Sequence, residues 1–394
     1  ANSYGAWTAP GDAYLIFGRS NGFSAQITLT NTWLNGSNGV TLAGVGTNKL
    51  CGYSVNSAGD VNGDGLADIL IGAPKACPFG RDSAGEAYLV YGRSNGLPAL
   101  VTLTNTWFDG TNGVLFVGTR AYSQIGWALN SAGDMNRDGY DDILARAAIE
   151  NEAYLIYGRS NGLPALITLT NTWCDGTNGV LLASANSSDS FGWSVSSAGD
   201  VNGDDLPDLM VGAPWASPGG RALAGETYVV YGRTNALPAL ITTTNTWLDG
   251  ANGVALAGPQ MYNRSGCSVR SVGDMNRDGY DDLLIGACYA DSSGIDSAGE
   301  TYLVYGGELY DSVSVIPNSG PYAGGYQVTI NGSNLCNGFD ITNVTLCGVA
   351  ATGIVSQSAT QVVVWAGTSD HVGLGEVRVF STSFGETMQS NAFT

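Results

Sequence analysis

Four segments of the sequence place carboxylate and amide side chains at alternate positions, in the shared pattern Asp-x-Asn-x-Asp-x-x-x-Asp. A Ca²⁺ ion takes six to eight oxygen ligands, and side chains at positions 1, 3, 5 and 9 with the backbone carbonyl of position 7 can surround it. The pattern predicts calcium as cofactor, with about four ions. The predicted ligands are Asp60, Asn62, Asp64, Leu66 and Asp68; Asp134, Asn136, Asp138, Tyr140 and Asp142; Asp200, Asn202, Asp204, Leu206 and Asp208; and Asp274, Asn276, Asp278, Tyr280 and Asp282.

These loops are not EF-hands, because the twelfth position holds an apolar residue such as Ile71 where an EF-hand has glutamate. One such segment alone is compatible with an ordinary Asx-rich turn. Four copies in register favour calcium. The third copy carries Asp205 where the others have glycine, which predicts a strained turn or an altered affinity.

The formal net charge of −19 is concentrated in the same loops, which hold 15 of the 34 acidic residues. No basic patch is present, so nucleic acid is not an expected partner. No apolar run of about 18 residues occurs either, and no membrane span is expected in this chain.

The loops belong to an internal repeat, since Asp60, Asp134, Asp200 and Asp274 recur at intervals of 74, 66 and 74 residues. Each unit reads as an opening strand, the acidic loop, an apolar strand, a third strand such as EAYLVYG and a fourth strand after the phrase NTW. Four strands per unit are typical of a propeller blade. An all-β fold with a β-propeller of four-stranded blades is therefore predicted.

Two sets of recurring side chains allow a structural or a functional interpretation. The tryptophans either pack between blades, which is favoured, or line a sugar site; they are Trp33, Trp107, Trp173 and Trp247. The glutamates before the third strand either stabilise a turn, which is favoured, or take part in catalysis; they are Glu86, Glu152, Glu226 and Glu300.

The cysteines and sequons indicate an extracellular protein, secreted or on the cell surface. Spacing suggests three local disulfides, Cys51 with Cys77, Cys267 with Cys288 and Cys336 with Cys347, which leaves Cys174 unpaired. The predicted N-glycosylation sites are Asn35, Asn186, Asn263, Asn331 and Asn343.

The segment 191–214, FGWSV followed by GDVNGDDLPDLMVGAP, resembles the FG-GAP repeat of integrin α subunits and of the propeller of glycosylphosphatidylinositol-specific phospholipase D. The resemblance covers about residues 10–307 and implies calcium in the acidic loops. The second unit departs from it, with ARAA at 145 where the others have GAP or GAC. That family usually has seven blades, whereas this sequence has four loops and a half-blade, so blade number and ring closure stay open.

The repeat ends near residue 309, which predicts a propeller at 1–309 and a second domain at 310–394. The segment SVIPNSGPYAGGYQVTING from Ser314 and the closing NAFT resemble the immunoglobulin-like IPT/TIG domain. Alternation in Gln327-Val-Thr-Ile independently favours a β-sandwich. This domain is expected to act as a spacer or docking module.

The sequence predicts a binding protein and not an enzyme, because its single histidine is His371 and no GxSxG, HExxH or phosphate loop occurs. The first functional hypothesis is adhesion or recognition of an extracellular protein or glycan through loops such as 75–85 and 215–225. The alternative is a structural subunit of a filament, coat or appendage, assembled with copies of itself through propeller edges and the Ig-like domain.

Overall fold

A computed structural model of the chain describes most of residues 10–393. It leaves out 149–150, 161, 171, 235–236, 244–247, 249, 251, 293–294, 308–313, 322, 333–334, 337–338, 359, 370–374 and 383–384 within that range. Trp247 and His371 lie outside the described residues. The described chain is all-β and divides into two compact units. The first comprises the residues up to Gly307 except 249–251, and the second comprises the residues from 308 onward.

The first unit contains four successive antiparallel sheets preceded by a two-stranded piece. That piece is β1 (Asp12–Ile16) and β2 (Gly39–Ala43). The blades are β3 (Val55–Gly59), β4 (Asp68–Ala73), β5 (Glu86–Val90) and β7 (Gly113–Val117); β8 (Leu129–Gly133), β9 (Asp142–Ala147), β10 (Glu152–Ile156) and β12 (Gly179–Ala183); β13 (Ser194–Gly199), β14 (Asp208–Ala213), β15 (Glu226–Val230) and β17 (Gly253–Ala257); and β18 (Ser265–Gly273), β19 (Asp282–Ala287) and β20 (Glu300–Val304). Short 3₁₀ turns span Pro78–Gly80 and Pro218–Gly220.

Three short strands in the linkers were not expected from the sequence. They are β6 (Leu100–Thr102), β11 (Leu166–Thr168) and β16 (Leu240–Thr242). Each pairs in parallel with the outermost strand of the preceding sheet, β6 with β2, β11 with β7 and β16 with β12. The linker of one blade thus extends the previous sheet and joins consecutive blades by backbone hydrogen bonds.

The apolar strands are buried because the blades stack face to face. Cross-strand partners Leu70 and Leu89 are both fully buried in the first blade. Their counterparts in the fourth blade, Leu284 and Leu303, are 37% and 40% exposed. A blade is therefore covered where another blade follows it, and the fourth blade presents an open apolar face.

One of the three predicted disulfides forms, between Cys267 and Cys288. Cys51 and Cys77 do not pair, because Cys51 is buried against Gly44 while the exposed Cys77 sulfur contacts Asp82 and the Ser83 N–H. The prediction of a disulfide between Cys51 and Cys77 is therefore wrong.

The Cys336–Cys347 pairing does not form either, and it too is corrected. The Cys347 thiol donates to the Phe393 carbonyl at 3.2 Å, and Cys336 is buried in the core of the second unit. Cys174, expected to be unpaired, is a buried free thiol.

The double substitution Cys267→Ser/Cys288→Ser is expected to lower the free energy of unfolding by about 3 kcal/mol, since the bridge closes a loop of roughly 20 residues. Calorimetric melting of both proteins, with and without a reductant, measures the difference. The reductant should shift only the parent protein, and equal shifts in both would contradict the assignment.

The second unit is a sandwich of two four-stranded sheets. One contains β21 (Ser314–Ile316), β22 (Gln327–Asn331), β26 (Gln361–Trp365) and β25 (Gly353–Ser358); the other contains β24 (Val349–Ala350), β23 (Ile341–Leu346), β27 (Gly375–Ser381) and β28 (Gly385–Phe393). Alternate residues such as Val328, Val364 and Val377 form one core between them. Within the described chain, no helix has the length and apolar character needed to cross a membrane.

Candidate functional site

Each acidic loop connects the first and second strands of a blade and is organised by its first aspartate. In the first loop Asp60 accepts backbone N–H bonds from Gly63, Asp64 and Gly65 at 2.8, 3.1 and 2.8 Å. Asp200 does the same in the third loop, where Asp205 takes the glycine position with φ of 63° and donates its N–H at 2.8 Å. Asp205 therefore keeps the loop geometry at the cost of a left-handed backbone.

The side chains at positions 3 and 5 touch one another in all four loops. The amide nitrogens of Asn62, Asn136, Asn202 and Asn276 donate to the aspartate two residues later at 3.1, 3.0, 3.1 and 2.7 Å. Positions 1, 3 and 5 of each loop thus provide two carboxylates and an amide oxygen close together. Such an oxygen-rich set of donors suits a hard cation. Among the described residues no three His, Cys, Asp or Glu side chains converge on one metal position.

The aspartate at position 9 is fully buried, unlike its partners. The oxygens of Asp68 accept the N–H of Val61 at 3.0 Å and of Gly92 at 2.8 Å, which fastens the loop to the end of the third strand. Asp142, Asp208 and Asp282 make the same pair of bonds in the other blades. Each oxygen keeps a second lone pair, so position 9 can also face a cation.

Burial raises the pKa of Asp68 to about 7 and that of Asp208 to about 8, and the neighbouring loop aspartates add to the effect. Burial likewise places the pKa of Asp142 well above its ordinary value. Negative charge under the loop is thus costly unless a cation or a proton offsets it.

In a calcium chelator, the melting temperature is expected to fall as pH rises from about 4 to about 8. A carboxyl whose folded pKa is raised binds more protons in the folded state, so its contribution is present below the unfolded pKa near 3.8 and is lost as pH passes the folded pKa of Asp68 and Asp208. Calorimetry across this range should show a flatter profile with calcium. A chelator profile that rises between pH 5 and 8 would contradict this.

Neighbouring loops are bonded to each other, which the sequence did not reveal. Asp141 accepts the N–H of Asp60 at 2.7 Å and donates its own N–H to the Asp60 carbonyl at 3.0 Å. Asp281 and Asp200 repeat this between the third and fourth blades at 2.9 Å for both bonds. The only available signal was that even-numbered loops read Tyr-Asp-Asp where odd ones have Leu-Ala-Asp or Leu-Pro-Asp.

The recurring tryptophans pack against arginines of the turns after the third strand, which read Phe-Gly-Arg at Arg19 and Tyr-Gly-Arg at Arg93 and Arg159. Arg19 lies 5.4 Å from the Trp33 ring centroid, Arg93 lies 5.3 Å from Trp107, and Arg159 lies 5.9 Å from Trp173. The recurring glutamates accept the hydroxyl of the tyrosine two residues later at 2.5 to 3.0 Å in all four blades. These contacts fit the structural interpretation of both sets.

The predicted glycosylation sites differ in access. Asn35, Asn186 and Asn343 are exposed, and Asn331 is half-buried. Asn263 is only 4% exposed, and an acceptor amide must be reachable on the surface. The prediction that Asn263 is glycosylated is therefore wrong for the folded chain.

Three stretches of the first unit, residues 52–90, 191–230 and 271–304, match the FG-GAP repeat, and residues 312–394 match the IPT/TIG domain. The chain carries integrin-like FG-GAP repeats followed by an IPT/TIG domain. The three FG-GAP matches correspond to the first, third and fourth blades, and the predicted resemblance is confirmed.

The FG-GAP chain is similar to integrin alpha-8 of Gallus gallus, with 34% identity over 41% of this chain and 14% of the relative. It is 33% identical to integrin alpha-IIb of Mus musculus over 42% of this chain and 15% of the relative. It is 28% identical to phosphatidylinositol-glycan-specific phospholipase D of Mus musculus over 77% of this chain and 34% of the relative. The chain thus spans between 14% and 34% of the length of these relatives.

The last of these similarities corrects one expectation. The prediction that the chain is not an enzyme is wrong, because most of the chain aligns with a relative whose name is that of an enzyme. The absence of a known catalytic motif does not exclude catalysis, because enzymes that use a pair of carboxylates share no fixed sequence motif. The prediction had assigned the abundant aspartates to metal binding instead.

Proposed function

We propose that this chain is the recognition part of an extracellular adhesion protein, in which calcium-stabilised loops fix one end of the blades and the other end binds a protein or glycan. The observation that carries the proposal is the separation of these two ends. The acidic loops are bonded in two pairs, the first with the second and the third with the fourth, at the end where β3 meets β4, and the connections after β4 and β14 emerge from the opposite end. Similarity to integrin alpha chains supports an extracellular setting.

In this proposal calcium is held in each loop by the side chains at positions 1, 3 and 5 and by the carbonyl at position 7, with position 9 beneath them. The loop geometry supports this, because the backbone N–H of position 5 bonds to the carboxylate of position 1 and so brings the carboxylates of these two positions close together, where a cation would offset their repulsion. Bound calcium would supply charge compensation and rigidity. The protein's own part is to hold the loops in register between blades through Asp141 and Asp281.

The recognition end has exposed side chains suited to contact. Phe79 is 66% exposed in the first connection, with Arg81 stacked over its ring at 5.4 Å. Tyr122 is 52% exposed and donates its hydroxyl to Asp82 of the same connection at 2.8 Å. Exposed aromatic and arginine side chains are typical of binding surfaces.

Binding to glycan and protein arrays, in calcium and in chelator, tests the proposal. We expect a discrete set of ligands that is retained in calcium and released by chelator, and that is weakened by Phe79→Ser. Ser94→Ala, at an exposed turn of another loop, serves as control. A protein that binds no array component in calcium while remaining folded would overturn the proposal.

The open face of the fourth blade favours a second candidate, a structural subunit of a filament, coat or appendage. Leu284, Leu303 and Tyr305 are exposed there, and a blade of a second copy would bury them. Light scattering and electron microscopy should then show calcium-dependent polymers that Leu303→Lys abolishes and Ser94→Lys leaves intact. A monomer in calcium at high concentration would exclude this candidate.

A further inference from the structure

The junction between the second and third blades differs from its neighbours. At the first junction Ser54 donates its hydroxyl to the Gly126 carbonyl at 2.8 Å, and at the third Ser194 donates to the Gly266 carbonyl at 2.9 Å. A Cβ at Gly72 would overlap the same Gly126 carbonyl, so glycine alone fits beside it. These junctions are closed by a serine and a glycine.

The second blade has Ala128 and Arg146 at the equivalent positions. Alanine has no hydroxyl to donate, and the arginine side chain runs past Gly192 of the third blade, where a Cβ would lie 3.3 Å from the arginine Cγ. The serine and the glycine are therefore replaced together. At this junction a long cationic side chain stands where the other junctions have a serine hydrogen bond.

Arg146 is buried, and within the described part of the chain no anion pairs with its Nε and Nη1 atoms. Only 4% of the residue is exposed, and its Nε and Nη1 atoms are fully buried with no partner among the described residues. The guanidinium lies 4.8 Å from the ring centroid of Trp193 and 5.6 Å from that of Trp127. Stacked rings hold the guanidinium in place but offer no acceptor to its in-plane Nε and Nη1 N–H groups, and buried N–H groups without acceptors are costly.

The surroundings of Arg146 form a continuous row of rings at the recognition end. Ring centroids are separated by 4.6 Å from Tyr53 to Trp127, by 5.9 Å from Trp127 to Trp193, and by 4.5 Å from Trp193 to Trp215. Tyr53 is 48% exposed, so the row reaches the surface. Burial lowers the pKa of Arg146 to about 10, which leaves it charged at neutral pH.

We propose that Arg146 is the anion-binding centre of a site for a carboxylated sugar. The guanidinium N–H groups donate to the carboxylate, and the outer rings, Tyr53 and Trp215, contact the apolar faces of the sugar. The rings favour a sugar over an acidic peptide, because Trp127 and Trp193 flank the Arg146 guanidinium with flat apolar surfaces. The proposal rests on the proposed recognition function and names its ligand class.

The test compares a trigalacturonate, a neutral trigalactose and a triglutamate peptide by calorimetry and tryptophan fluorescence, in calcium. The variant Ala128→Ser/Arg146→Gly recreates the serine and glycine of the other junctions and so keeps a fold that the chain already uses. We expect it to weaken trigalacturonate binding by about tenfold or more, the loss of a charge-assisted hydrogen bond. Arg270→Gln, which removes an exposed charge on β18, should leave binding unchanged.

Three results would overturn the proposal: no trigalacturonate binding, equal binding of the neutral sugar, or binding that the double variant leaves unchanged. Triglutamate binding that equals trigalacturonate binding and depends equally on Arg146 would overturn the assignment to a sugar. Array ligands that bind in calcium regardless of the double variant would refute this site while the proposed recognition function stands.

Discussion

Asp64→Ala is expected to remove the stability that calcium supplies at the first loop while leaving calcium-free stability nearly unchanged. Asp64 is exposed, and its carboxylate accepts hydrogen bonds from two groups of its own loop, the Asn62 amide at 3.1 Å and the Leu66 N–H at 2.9 Å. A site held at about a hundred times its dissociation constant contributes about 2.7 kcal/mol to the folded state. Calorimetric melting in calcium and in chelator measures that contribution.

Asp12→Ala is the control for Asp64→Ala, because it removes an exposed carboxylate outside the loops. It should melt like the parent protein in both conditions. A parent melting temperature that is the same in calcium and in chelator would rule out structural calcium sites.

Asp68→Ala is expected to destabilise the chain by about 2–6 kcal/mol even in chelator. The variant leaves the N–H groups of Val61 and Gly92 without their acceptor, and each unpaired buried group costs about 1–3 kcal/mol. Denaturant unfolding of Asp64→Ala and Asp68→Ala in chelator compares two positions of one loop directly.

Asp68→Asn separates charge from hydrogen bonding at that position, since the amide keeps one acceptor oxygen. We expect a smaller loss than for Asp68→Ala. Equal losses of stability for Asp64→Ala and Asp68→Ala in chelator would contradict this account. It assigns Asp64 to an exposed ligand position and Asp68 to a buried hydrogen-bond acceptor.

The repeat, the all-β fold and the place of the acidic loops could be predicted because each depends on local pattern. The pleated apolar strands and the fixed turns between them recur with every unit. The linker strand Leu100–Thr102 could not, since three residues carry little signal and its pairing partner β2 lies in the preceding sheet. Its conformation is decided by tertiary contact.

Side-chain roles were predictable only where partners are near in sequence. The contact of Asn62 with Asp64 follows from spacing, whereas the bond from Asp60 to Asp141 spans 81 residues and requires the blades to be stacked. The disulfides show the same limit. Cys51 and Cys77 are close in sequence, yet one lies inside the core and the other on a surface loop.

The most direct test of the central claim is a calorimetric titration of calcium into chelator-treated protein. Loops that clamp the blades predict about four ions bound per chain, with dissociation constants on the order of 10⁻⁴ to 10⁻³ M typical of extracellular modules, and about one ion fewer for Asp64→Ala. A folded protein that shows no calcium binding at millimolar concentration, or the same stoichiometry in parent and variant, would contradict it.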